Sequence, residues 1–306
     1  MVFVLIILFS FNMSHNPFIL NNMIPSINVS QENDPLYEEI TAKAKDENYS
    51  EKPQNAFIDR VWKKTPGRNG REVDIEKSYK RMKKNEEFNT DLLVYNQVKP
   101  EIALEDLPPA PIYRGHPEKK MTALMINVSW GGEHIPTILE TLKKQKVKAS
   151  FFIEGKWARE NAELVKMIAE KGHLIGNHAY NHPDMARMSS GEITKQITQT
   201  NEILTAITGE NPIYFAPPSG SFNEQVVQEA AALGMETILW TTDTIDWKNP
   251  SISVMINRVN GNIHPGATIL MHPTPVIADG LGELISLIKD KGYRIGRLDS
   301  LLSEER

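Results

Sequence analysis

The sequence predicts an α/β fold, a deformed (β/α) barrel of about seven repeats preceded by a small, mainly helical N-terminal domain. Three observations carry this. After Lys120, short apolar runs alternate with amphipathic helical stretches. Capping residues sign the helix ends. A proline-rich connector separates this region from a polar one rich in Lys and Glu.

In chain order, residues 1–27 open with the apolar run Val2 to Phe11. It is too short for a span of about 20 residues and suits a signal-peptide core of roughly 7 to 15. It reads as an export signal or anchor, or else as a buried strand or helix. No positive n-region precedes it, and Met13 and Met23 follow before the first folded segment. Residues 28–117 form the small domain and its connector. Ala56, Ile58, Val61 and Trp62 share one helical face, and Ile75, Tyr79 and Met82 repeat the period. Pro66, Gly67, Asn69 and Gly70 supply a turn between these helices. Leu107 to Pro111 reads LPPAP, a stiff extended connector because each proline fixes φ.

Residues 118–306 form the barrel. Strands are expected at Thr122 to Val128, Ala149 to Ile153, His173 to Gly176, Ile213 to Ala216, Glu236 to Leu239, Thr268 to Met271 and Tyr293 to Gly296. Helices are expected at Ile135 to Gln145, Trp157 to Lys171, Ser190 to Thr208, Asn223 to Leu233, Ser251 to Val259 and Leu281 to Lys291. Asn223 and Ser251 suit N-caps, while Gly172, Gly234 and Gly292 sit where left-handed C-terminal residues fall. A parallel barrel follows, or failing that a doubly wound sheet, and in either the site lies at the C-terminal ends of the strands.

Composition narrows the chemistry. With 306 residues, 40% hydrophobic and 24% charged, the chain is long enough to bury a sizeable core. A net charge of −5 gives no reason to expect nucleic acid. There is no cysteine, so disulfides, thiolate metal sites and cysteine nucleophiles are excluded. Any reaction must use His, Asp, Glu, Ser or a metal held by nitrogen and oxygen. Oligomeric state is not encoded in any feature of the sequence.

Five short segments follow expected strands: Asn127-Val-Ser-Trp-Gly131, His178-Ala-Tyr-Asn-His182, Ala216-Pro-Pro-Ser-Gly220, Asp243-Thr-Ile-Asp-Trp247 and Leu270-Met-His272. In order and spacing they resemble the five motifs of the polysaccharide deacetylase family, the group sharing a NodB homology domain. The resemblance covers about residues 118–304, through Lys291-Gly-Tyr-Arg-Ile-Gly-Arg-Leu-Asp299. The whole chain, including Trp62 to Glu76, looks like a sporulation-associated branch from Gram-positive spore formers.

The resemblance implies a divalent metal, commonly zinc, held by one aspartate and two histidines, which polarises an N-acetyl carbonyl and activates water. His178 and His182 match the histidines, and four-residue spacing lets both point to one side of a helical turn. Outside the motif such a pair is more readily a surface or capping pair. His272 matches the general acid, Asp246 the carboxylate that orients it and Trp247 the aromatic wall of the groove. Asp246 as a turn cap and Trp247 as core are the plain alternatives. Pro218 and Gly220 keep the backbone of the third motif, so an oxyanion-facing amide is retained.

Other positions depart. Where the family reads Thr-Phe-Asp-Asp-Gly, Ser129 stands at the general base and Trp130 at the acidic metal ligand. A serine hydroxyl is no base near neutral pH, and an indole has no lone pair for a cation. Ala216 replaces the arginine that braces the base, and Ser219 replaces an aromatic residue. Losing aspartate and arginine together leaves no stranded charge. Glu133 is a candidate third ligand, or simply an exposed first-turn helix residue. Two readings follow: a metal-dependent hydrolase of N-acetyl groups on cell-wall glycan with lowered activity, or an inactive, exported module binding glycan or protein without metal.

Overall fold

The structure, a computed structural model, describes residues 34–306, so the apolar leader expected at 1–27 lies outside the described residues. Two compact units divide them: 34–50 with 73–95, and 51–72 with 96–306. The first contains α1 (Pro35–Ala44) and α2 (Ile75–Met82). Leu36 and Ile40 pack with Tyr79 and Met82, and the Tyr79 hydroxyl donates to Asp34, the N-cap of α1. The expected helix through Ile75, Tyr79 and Met82 is α2.

The expected helix through Ala56 to Trp62 is instead a hairpin, β1 (Phe57–Asp59) paired antiparallel with β2 (Lys63–Thr65). Asp59 Oδ1 accepts the amides of Val61 and Trp62, closing a turn that a helix would forbid. Two further short strands, β3 (Gly70–Val73) and β4 (Tyr95–Val98), lie at the sequence junctions between the units.

The break expected at 117/118 is not where the compact units divide, because segments 51–72 and 96–117 are bonded into the second unit. Lys64 N donates to Pro111 O, and Ile112 pairs through both its backbone groups with Thr237 and Leu239. Pro108, Pro109 and Pro111 lack donors, so pairing resumes at Ile112.

The barrel follows as β5 (Met121–Val128), α3 (Ile135–Lys144), β6 (Ser150–Ile153), α4 (Gly155–Glu160), α5 (Ala162–Glu170) and β7 (Leu174–Asn177). It continues as α6 (Ser190–Thr208), β8 (Tyr214–Phe215), α7 (Glu224–Ala232), β9 (Glu236–Thr237) and β10 (Thr242–Asp243). It ends with α8 (Ile252–Asn262), β11 (Thr268–Met271), α9 (Pro275–Asp290), β12 (Arg294–Gly296) and α10 (Leu298–Leu302). The strands form one curled parallel sheet in the order β10-β11-β5-β6-β7-β8-β9, with β12 also on β5. This is the deformed barrel that the alternation implied.

Central β5 is buried throughout. Its side chains alternate: Leu124, Ile126 and Val128 pack under the helices, while Met121, Ala123 and Met125 join Phe152 and Ile238 in the barrel interior. The same alternation places Asn127 and Ser129 on the interior side at the C-terminal mouth.

Candidate functional site

The mouth encloses a cavity of about 410 Å³. β5 supplies Asn127 and the loop after it Ser129 and Trp130; the loop after β7 supplies His178 and His182; the turn after β8 supplies Ser219. The end of the sheet adds Trp240, Asp243, Trp247, Leu270 and His272. Of the third motif, Ser219 lines the cavity and Pro218 and Gly220 do not; they shape the turn that presents it. Ser219 takes a left-handed φ of 54°, strained for a residue with a side chain. The amides of Gly220 and Ser221 are bonded within that turn, to Pro217 O and Pro218 O.

His272 sits beside the Asp246 carboxylate. Its ring Nδ1 lies 3.2 Å from Asp246 Oδ1, and its amide donates to Oδ2. Asp246 is 1% exposed and also accepts from the Thr244 and Thr274 hydroxyls at 2.6 and 3.0 Å. A carboxylate so buried persists because four donors satisfy it. The Asp246 of this site is therefore more than a turn cap. Trp247 is 53% exposed and lines the cavity, so it is not core.

The two histidines meet, but not on a helical turn. Their segment is irregular, with Ala179 and His182 at φ 58° and 57°. Asn177 Oδ1 accepts the Ala179 amide and turns the chain there. The rings lie 5.2 Å apart at 71°. His178 Nδ1–H donates to Ala216 O at 2.7 Å, which leaves Nε2 with the lone pair. Burial pushes the His178 imidazole down to about 3 and also lowers that of His182.

The β5 end departs most. The Trp130 indole stacks on the His272 ring, centroids 5.9 Å apart and planes within 8°. Gly131 makes this approach feasible: at φ 73° its added Cβ would lie 2.0 Å from Pro273 O. Ser129 Oγ is buried without a hydrogen bond of acceptable geometry. It lies close enough to buried Glu154 to favour that carboxylate's charged form, but burial, the larger effect, pushes Glu154 up. Asn127 Oδ1 is likewise buried and unpartnered.

Glu133, the candidate third ligand, is not gathered with the histidines. Its side chain is 74% exposed and sits 3.7 Å from His134 Nε2. Among the described residues no group of three His, Cys, Asp or Glu side chains is placed to hold a metal. The residues present do not fit the ligand set of a metal-dependent deacetylase, because an indole stands where a carboxylate is needed.

Sequence reasoning passed over Asn127, Trp240, Asp243 and Leu270 as lining residues, and Glu154 altogether. For Asn127 the signal was available, since it lies two residues before Ser129 on a strand. The Trp130 stack had none.

A parallel β/α barrel with an imidazole pair and an Asp–His pair at its mouth has the frame of a carbohydrate esterase. The polysaccharide deacetylase family model matches residues 114–238. The chain is 49% identical over its full length to the uncharacterized protein YlxY of Bacillus subtilis, covering 96% of it. It is 39% identical to a peptidoglycan-N-acetylglucosamine deacetylase of Bacillus cereus, over 57% of this chain and 66% of that one. A CE4 family pseudoenzyme from Bacillus anthracis superposes with a TM-score of 0.84 at 51% identity, covering 89% of this chain and 96% of that one. A mutant of that pseudoenzyme is described as having restored enzymatic activity. This chain belongs to the polysaccharide deacetylase family, and its catalytic site is degenerate.

Proposed function

We propose that the chain is a non-hydrolytic member of the family that binds cell-wall glycan at the barrel mouth. One observation carries this: Trp130, at the position where the family has an acidic metal ligand, stacks on His272, and an indole has no lone pair to offer a cation. The same indole is 46% exposed, and Trp247 stands exposed beside it. Such faces suit the apolar side of a sugar ring. The pseudoenzyme relative supports the reading.

A second reading, residual deacetylation, is favoured by the retained Asp246–His272 pair. It lacks a base and a metal ligand, each commonly worth about 10² to 10⁴ in rate. Glycan binding places the chain at the cell envelope, with 1–27 as export signal or membrane tether and the unit of 34–50 with 73–95 as an accessory one. Among the described residues no helix is long and apolar enough to cross a membrane.

Sedimentation with insoluble peptidoglycan tests the binding reading. The full chain is expected in the pellet, and Trp130→Ala is expected to weaken retention about ten-fold. Acetate release from the same glycan is expected to stay at background. Absence from the pellet would overturn the binding reading, and steady acetate release would favour the enzyme.

A further inference from the structure

The ligand class can be read from the cavity, in an inference that rests on the glycan-binding reading. Among the described residues no Lys or Arg lines it, and position 216, where the family has arginine, is alanine. The cation that polarises an acetyl carbonyl in the family finds no ligand set among the described residues.

What the lining offers suits the opposite ligand, one that brings positive charge and donors. Asp243 presents a carboxylate whose Oδ1 accepts the Ile245 amide at 2.8 Å, and which forms no ion pair among the described residues. Arg258 bonds the Asp243 carbonyl at 2.8 Å, not its carboxylate. Trp130, Trp240 and Trp247 line the same cavity, and indole faces attract cations. Lys248, outside the lining, already places its ammonium 4.9 Å from the Trp247 centroid. Asn127, 4% exposed and on the barrel-interior side of β5, keeps its Oδ1 unpartnered. A buried oxygen left without a donor costs about 1–3 kcal/mol, which an incoming donor relieves.

We infer that the cavity takes an N-deacetylated hexosamine glycan, with the sugar ring against the exposed indoles and the ammonium directed to the Asp243 carboxylate. The chain binds the amine that active relatives would leave behind, and discriminates against the acetylated form.

The test is calorimetric titration of the full chain with glucosamine tetrasaccharide and with its fully N-acetylated counterpart, at mildly acidic pH where the amines are charged. The amine form is expected to bind at least about ten-fold tighter, about 1.4 kcal/mol. Asp243→Asn keeps the acceptor for the Ile245 amide, and is expected to reduce that preference about five-fold or more. Trp130→Ala is expected to weaken both ligands, with its fold checked by circular dichroism. Equal or tighter binding of the acetylated form would overturn the inference and leave glycan binding standing. So would an amine preference undiminished in Asp243→Asn, which would mark general attraction to an acidic chain. Binding of neither oligosaccharide would overturn both readings.

Discussion

Trp130 and His272 stack with planes within 8°, so the residue at the position that the resemblance gives to an acidic metal ligand also lies against the imidazole it gives to the acid. The rest of the altered group is consistent with this: Ser129 and Ala216 remove a carboxylate and its guanidinium together, leaving no unpaired buried charge. His178 keeps its Nε2 lone pair, because the Ala216 carbonyl fixes its tautomer, as outer partners of metal ligands do. The triple change Ser129→Asp, Trp130→Asp, Ala216→Arg is therefore expected to bind about one zinc per chain. It should also raise acetate release from chitooligosaccharides at least about 10²-fold over the parent. A folded triple variant with neither zinc nor activity would show that the groove has diverged elsewhere. These positions were legible from the sequence because a motif is an ordered set of residue types. The stack was not, since residues just past the ends of two different strands meet only when β5 and β11 pair.

Amphipathic helices were the most legible elements. α6 spans Ser190–Thr208 as its period implied, and Asn223 caps α7 by accepting the Val226 amide. Asn223 also donates to Ala186 O at 2.9 Å, tying the loop after β7 to α7. Asn223→Ala should then cost about 1–2 kcal/mol, more than loss of a cap alone, while Asn223→Asp should recover the cap share. Urea unfolding midpoints of the two variants check this, and equal losses would remove the loop tie from the account.

Boundaries were less legible. The helix expected over 157–171 is two, broken at Asn161 (φ −130°, ψ 37°), whose side chain bonds Trp157 O instead. β10 went unseen because two residues carry no period, and its pairing with β11 alone defines it. Ala56, Ile58, Val61 and Trp62 fit a helical face by spacing, yet Asp59 closes a turn and Phe57–Asp59 becomes a strand.

At the scale of the molecule, burial sets a pH response. His116 and His173 are 2% and 6% exposed, and burial pushes both imidazoles down to about 4. In the unfolded chain they titrate near 6.5. Between those values the unfolded state binds more protons, so stability is full above about pH 6.5 and falls as pH drops toward about 4. The loss is on the order of 1–3 kcal/mol for each imidazole. Thermal midpoints are expected to fall by several degrees over this window, with His173→Asn flattening the slope. A midpoint constant from about pH 7 to 5 would contradict the buried, neutral assignment.

The sequence by itself determined the alternating β/α order, the parallel barrel and the identity of the altered motif residues, because periodicity and residue type are local properties. Only the tertiary structure decided that segments 51–72 and 96–117 belong with the barrel, that Glu133 stays away from the histidines and that Trp130 lies on His272. Each depends on the pairing or packing of segments far apart in the chain, and local spacing holds no record of that.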